Sequence, residues 1–132
     1  MVAYETFQKI RNKYGYCASW ALWADEGETL KSNVGDLTIL DPDENADLLA
    51  QLKPEFILVG LNISRTLGVE PLANFHDSKP YATDYKIRYA LKGTIFWGAY
   101  MTDIIKDFDE VSLNSHSKCN TGMLRSCDGN TL

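Results

Sequence analysis

The chain has 132 residues, of which 45% are hydrophobic and 23% are charged. These fractions are close to those of average globular proteins, so they exclude an extensively disordered polypeptide and fit a single domain. A formal net charge of −5 argues against a broad basic surface for nucleic-acid backbones, although it leaves room for a small local basic patch.

The cysteines and the apolar runs define the expected compartment. The three cysteines, Cys17, Cys119 and Cys127, form no C-x-x-C pair, so the sequence predicts no metal site. An odd number of cysteines, without a secretory signal, predicts reduced thiols and a cytoplasmic protein. No apolar run approaches the roughly 18 residues that a membrane span needs. We therefore expect no membrane association and no metal or organic cofactor.

The first predicted element is a helix over residues 4–14. Phe7, Ile10 and Tyr14 recur at helical spacing, and Gly15 follows as a stop signal. The aromatic residues 16–23 then form a candidate strand, which a polar segment interrupts.

A second helix is predicted to begin at the acidic cluster Asp41-Pro42-Asp43-Glu44. An Asp cap, a proline in the first turn and carboxylates near the positive end of the helix dipole all fit a helix start. The pattern predicts that the helix ends at Lys53-Pro54. Its apolar stripe consists of Leu48, Leu49 and Leu52.

Residues 56–61 form the most distinctive segment, a continuous apolar run bounded by Pro54 and a polar loop. The run is too short for an isolated helix and indicates a central strand covered on both faces, as in parallel sheets. Residues 96–101 form a second such run, expected to stop at Thr102-Asp103. The two runs predict adjacent buried strands in an α/β fold.

The remainder of the chain contains a third helix and a tail. Residues 84–91 place Tyr85, Arg88 and Tyr89 at helical offsets. Residues 112–132 are rich in polar and small residues and lack apolar periodicity, which predicts a mobile C-terminal tail. The predicted organisation is therefore an α/β domain over residues 1–111, followed by a tail over residues 112–132.

The loop after the first apolar run is a candidate ligand site, because ligands of open α/β sheets bind beyond the carboxyl ends of strands. Gly60 permits close approach of a ligand to the backbone. Asn62 and Ser64 offer hydrogen-bonding groups, and Arg65 can hold a phosphate with paired donors. The alternative is an ordinary strand-to-loop turn, in which asparagine is common.

Asn74-Phe75-His76 is a second candidate segment. A nucleobase pocket needs a flat apolar wall and a few directed polar groups, and this segment supplies an amide, a ring and an imidazole. The alternative is a surface loop in which Phe75 packs into the core and His76 lies in solvent.

Four further residues complete the candidate set. Asp84 and Arg88 lie four apart and can pair on one helix face, an arrangement that is commonly a solvated ion pair. Thr102 and Asp103 follow the second apolar run and can face the same cleft as Asn62, or instead cap a helix.

Four segments resemble known motifs. The run FILVGLNISR is similar to the first motif of the uracil-DNA glycosylase-like superfamily, particularly its mismatch-specific branch, where an apolar strand enters a Gly-Ile-Asn-Pro-Gly type loop. The segment NFH resembles the Asn-x-Phe-type segment of that superfamily, whose aromatic ring stacks on the flipped base. DYKIR resembles an Asp-x-Thr-x-Arg segment of a related uncharacterised bacterial family, and WGAYMTDIIK resembles the strand that follows in the superfamily.

The resemblance implies roles for individual residues. Asn62 would position a water, Phe75 would stack on the base, and Asp84 and Arg88 would match the paired positions of the second family. Ile63 stands where the family has proline, and the family's later His-containing motif has no counterpart before the chain ends. The resemblance covers roughly residues 54–108.

The resulting expectation is a three-layer α/β sandwich with a small, mainly parallel sheet, similar to the uracil-DNA glycosylase-like fold but shortened at the C-terminus. We expect it to bind a nucleobase, a nucleotide or single-stranded DNA, with weak or no hydrolysis of a glycosidic bond. The alternative is a small acidic interaction protein, with a phage as one candidate source, that occupies a protein partner's nucleic-acid groove. The net charge and the acidic residues 41–47 motivate that alternative.

Overall fold

The computed structural model describes residues 1–62 and 70–105, which form a small α/β fold. Along the chain come α1 (Tyr4–Tyr14), β1 (Ser19–Trp20), a 3-10 helix (Leu37–Leu40), α2 (Leu48–Gln51), β2 (Lys53–Asn62), α3 (Asp84–Leu91) and β3 (Ala99–Ile105). No helix in these two ranges is long and apolar enough to cross a membrane.

The three strands form one mixed sheet in the order β1-β3-β2. β3 pairs antiparallel with β1 and parallel with β2, so β3 is the central strand. The two predicted apolar runs are therefore adjacent strands, as expected. β2 lies at an edge of the described sheet, which contradicts its predicted central position.

Apolar side chains pack against both faces of β3 at its first residues, 99–101. Tyr100 packs with α1 and Trp20 on one face, whereas Ala99 and Met101 pack with Trp23 on the other, as expected for the alternation of a strand. Most of the first cluster comes from outside the sheet, and its buried members are Val2, Phe7, Trp20, Leu22, Leu40, Leu48, Leu52 and Leu72.

The prediction that β2 is covered on both faces is wrong. Ile57, Val59 and Leu61 are 60%, 56% and 69% exposed, whereas Phe56 and Leu58 on the other face pack into the second apolar cluster. Alternating exposure of this kind is typical of a strand with one covered face. Pro54 fits an edge position, because a proline cannot donate to a neighbouring strand.

The predicted second helix is confined to its last turn, because side chains stabilise turns in the preceding acidic segment. Asp41 Oδ1 accepts from the amide of Asp43 (2.9 Å), and Asn45 Nδ2 donates to Ile39 O (2.8 Å). Such local bonds compete with helical backbone bonds. The acidic segment is therefore a series of turns, although Leu48 and Leu52 are buried as expected.

The start of β3 is set by Gly98. Its φ of +97° favours glycine, and a Cβ there would collide with Gln51 O. Gly98 N donates to Ala21 O (2.8 Å), and Gly98 O accepts from Lys53 N (2.8 Å). This junction delays β3 to Ala99, three residues after the predicted start, and β3 then continues through Thr102-Asp103 instead of stopping there.

Candidate functional site

The parallel strands β2 and β3 bring several predicted site residues to one end of the sheet. Gly60 is paired with Asp103, and the backbone of Asn62 is paired with that of Ile105. The carboxyl ends of these strands therefore lie side by side, which is where ligands bind in open α/β sheets. Ser64 and Arg65 lie outside the described residues, and the role of the Asn62 side chain remains a prediction.

Gly60 makes room for a buried carboxylate. Asp103 is only 3% exposed, and a Cβ at Gly60 would collide with its Oδ1 atom. Asp103 Oδ2 accepts a hydrogen bond from Asn74 Nδ2 (2.8 Å). Buried charges require such partners, because removing a carboxylate from water is costly. The glycine and the aspartate thus form one unit across the two strands.

Asn74 links this carboxylate to the segment before β1. Its Nδ2 atom donates to Asp103 Oδ2 and also to Cys17 O (2.9 Å), so both amide hydrogens are used inside the protein. Asn74 is 5% exposed. This geometry supports a role in holding the loop and gives no support to the expected contribution of its amide to a nucleobase pocket.

His76 is enclosed as well, and the alternative that places it in solvent is wrong because it is 2% exposed. Nε2 lies 2.9 Å from Leu22 O, and Nδ1 lies 3.0 Å from Asn74 O and 3.4 Å from Ser19 Oγ. The ring stacks on Trp23 with centroids 5.1 Å apart. Both ring nitrogens thus have partners inside the protein.

Phe75 is the residue of this segment that meets the candidate pocket. Its φ is +70°, an uncommon conformation for a bulky residue. Trp23 Nε1 donates to Phe75 O (3.0 Å) and fixes this backbone. The ring is half-buried, and its Cε1 atom lies 3.5 Å from the position that a Cβ on Gly60 would occupy. Backbone strain of this kind is frequently found at ligand sites.

An open pocket of about 200 Å³ lies beside Gly60 and Phe75. It is smaller than the roughly 300–1,000 Å³ of pockets for drug-sized ligands, so it suits a single flat group. Its walls are almost entirely apolar, and the lining residues are Leu58, Val59, Gly60, Phe75, Ile87 and Met101. A second pocket of about 130 Å³ lies by Arg11 and Leu40 and contains none of the predicted site residues.

Arg88 holds a loop to α3. The side chain is 1% exposed, Nη1 donates to Ala24 O (2.9 Å) and Nη2 donates to Leu30 O (2.6 Å). Instead of the expected solvated ion pair with Asp84, the Arg88 guanidinium therefore forms buried hydrogen bonds that hold residues 24–30 against α3. Asp84 Oδ2 in turn accepts from Asp77 N (2.7 Å).

The alternation of β3 separates two further candidates. Thr102 lies on the face opposite Asp103 and is half-buried, so the structure does not bring it to the pocket. The adjacent Tyr100 has a pKa raised above its ordinary value by burial, with smaller contributions from Cys17 and Tyr14. Within the described ranges, no group of three or more His, Cys, Asp or Glu residues is placed to hold a metal ion.

Sequence reasoning missed Ser19 and the polar role of Trp23. Ser19 is fully buried and donates to Leu72 O (2.7 Å), and Trp23 supports both His76 and Phe75. A serine inside an otherwise apolar aromatic run was the available signal, because a buried hydroxyl needs a partner.

Comparisons of the chain with protein-family models, with curated proteins and with solved structures find no match.

Proposed function

We propose that this chain binds a nucleobase, either free or as part of a nucleotide or single-stranded DNA, in the pocket beside Gly60 and Phe75. The observation that carries the proposal is the convergence of a half-buried aromatic ring, a glycine backbone and a buried carboxylate at the carboxyl ends of two parallel strands. A flat ligand stacks on Phe75 and contacts the β2 residues that line the pocket, whereas the space left by the missing Cβ of Gly60 is taken by Asp103 Oδ1.

The pocket's size and lining support a base more than a larger ligand. A volume of about 200 Å³ suits one flat ring system, and the apolar walls leave sugar and phosphate outside. Asp103 Oδ1 lies against Gly60, so its carboxylate is next to the pocket without lining it. A carboxylate this close to the pocket disfavours a bound phosphate more than an uncharged base.

The proposal extends to the fold and to the chemistry. The parallel pair β2–β3 and the apolar clusters on both faces of β3 support a three-layer arrangement resembling the uracil-DNA glycosylase-like fold. Any hydrolysis of a glycosidic bond would use Asn62, which ends β2 beside the pocket-lining Gly60, to orient the water. We propose binding with weak or no turnover.

Titration calorimetry with free bases, nucleosides and uracil-containing oligonucleotides tests this function. Phe75→Ala should weaken binding by about 1–3 kcal/mol, because the stacking surface is lost. Tyr89→Ala is the matched control, since this aromatic side chain is 70% exposed on α3 and does not line the pocket. Asn62→Ala should leave binding largely intact but abolish any base release.

Two results would count against the proposal. Absence of binding at millimolar ligand would remove the nucleobase function. Equal losses of binding free energy for Phe75→Ala and Tyr89→Ala would show that the ligand binds elsewhere. Thermal unfolding of each variant must accompany the titrations, because Phe75 also packs in the second apolar cluster.

A second candidate function is an acidic interaction protein. Asp43, Glu44 and Asp47 are all exposed within one short series of turns, which favours contact with a basic partner surface. Replacing the three by their amides should slow association with such a partner and leave nucleobase binding unchanged, so the two candidates are separable by experiment.

A further inference from the structure

The ring of His76 has acceptors at both nitrogens. Nε2 lies 2.9 Å from Leu22 O, and Nδ1 lies 3.0 Å from Asn74 O. A carbonyl oxygen accepts hydrogen bonds and cannot donate them. Ser19 Oγ, 3.4 Å from Nδ1, already donates its hydrogen to Leu72 O (2.7 Å), so it also presents a lone pair to the ring.

A neutral imidazole cannot satisfy this arrangement. It carries one N–H group, so either tautomer directs the lone pair of one nitrogen at a carbonyl oxygen about 3 Å away. A doubly protonated ring donates to both carbonyls. The positions of these partners therefore favour the imidazolium form.

Burial of the ring, which is 2% exposed, disfavours the charged form, but two neighbouring groups favour it. The ring stacks on Trp23 with an interplanar angle of 26°, and the face of an indole attracts cations. Asp103 on β3 places a carboxylate two hydrogen bonds away through Asn74. Among the described residues, Cys17 carries a thiol and its carbonyl receives Asn74 Nδ2, and Asp77 follows His76 in the chain and donates its amide to Asp84 Oδ2.

We infer that His76 is held as an imidazolium and is a positioning residue for Phe75. The ring joins Leu22 O to Asn74 O, and Asn74 immediately precedes Phe75. Loss of one proton turns an attractive contact into a repulsive one, so the segment carrying Phe75 moves away from its Trp23 bond. The consequence for ligand affinity rests on the proposed nucleobase function, whereas the protonation state of His76 does not.

Nuclear magnetic resonance of the ligand-free protein tests the protonation state directly. The chain has two histidines, so His116→Gln leaves the His76 ring as the only imidazole signal. At pH 8 an ordinary histidine is only about 3% protonated. We expect the ring ¹⁵N shifts of His76 to be those of the doubly protonated form at that pH. A neutral, single-tautomer ring would overturn the inference.

The positioning role has a readout that needs no ligand. The amide signals of Phe75 and Gly60 should shift during the pH titration with the same midpoint as the His76 ring. His76→Gln, which keeps a donor but cannot titrate, should remove that common midpoint. Amide signals that stay constant while His76 titrates would show a structural residue without influence on the pocket.

Affinity is measured last, with a uracil-containing oligonucleotide at about pH 6 and at a pH above the His76 midpoint. We expect the affinity of the wild type to fall at least fivefold at the higher pH, and the affinity of His76→Gln to stay unchanged. A wild-type affinity independent of pH would overturn the positioning role. Absence of binding at every pH would refute the nucleobase function, while the two ligand-free measurements still decide the state and role of His76.

Discussion

Asp103, Asn74 and His76 are polar side chains placed almost wholly inside the protein, and each is held by a partner distant in sequence. Asn74 bonds the carbonyl of Cys17, 57 positions away, and His76 bonds that of Leu22, 54 positions away. The sequence predicts that these residues belong to a base pocket. The backbone carbonyls to which they are hydrogen-bonded lie in a segment that only the tertiary fold brings close. The internal role of the two side chains was therefore not predictable from local patterns.

The contact between Gly60 and Asp103 leads to a prediction of non-additivity. Gly60→Ala should destabilise the protein, because the new Cβ would displace Asp103 Oδ1 and disturb its bond to Asn74. In an Asp103→Ala background, Gly60→Ala should lower the free energy of unfolding by a smaller amount. The expected difference is about 0.5 kcal/mol or more, which is typical of residues in contact. Urea unfolding of the four proteins measures the coupling, and additive costs would contradict the contact.

Tyr100 predicts a loss of stability at alkaline pH. Burial raises its pKa in the folded protein, with added contributions from Cys17 and Tyr14. The unfolded chain then loses this proton first, from about pH 10, so the stability due to the neutral phenol is present below pH 10 and is lost above it. Tyr100→Phe should flatten the fall in unfolding free energy above pH 10. An unchanged slope would contradict the assignment.

At the scale of elements, local patterns predicted α1 and α3 best. The bounds of α1 and α3 agree with the predicted residues 4–14 and 84–91, because the spacing that defines a helix is contained within it. The start of β3 depends on Gly98 against the carbonyl of Gln51, and the edge position of β2 depends on strand order. Both features are set by segments distant in sequence. The sequence therefore predicted that the two strands exist and are adjacent, but not where they begin and end or how exposed they are.

The α3 helix offers a matched pair of cations that should differ sharply in importance. Arg88→Met keeps the buried volume but removes the donors to Ala24 O and Leu30 O, which should cost about 1–3 kcal/mol. Lys92 forms ion pairs with Asp25 (3.7 Å) and Glu26 (3.3 Å) at the surface, so Lys92→Met should cost less than about 1 kcal/mol. Equal shifts of the urea midpoint would show that Arg88 is not a structural clamp.

At the scale of the whole molecule, we predict that the uncovered side of the sheet mediates self-association. Ile57, Val59, Leu61 and Ile104 are all more than half exposed, and β2 forms an edge of the described sheet. Long apolar edges act as templates for pairing with other chains, and a charge at the edge suppresses such pairing.

Sedimentation velocity over a range of concentrations tests this. Ile57→Lys should lower self-association with little effect on stability, because the side chain is 60% exposed and does not line the pocket. Tyr89→Lys introduces the same charge on exposed α3 and should leave association unchanged. A wild type that remains monomeric at the highest concentration would refute the prediction.

The central position of β3 also determines when the sheet can form during synthesis. Ser19 of β1 pairs with Met101, and Leu58 of β2 pairs with the same residue from the other side. Among the described strands, β1 and β2 therefore have no partner until the ribosome has added residues 99–105. Throughout that interval the apolar run of β2 is an unpaired segment of a nascent chain, the state in which chaperones bind and misassembly begins.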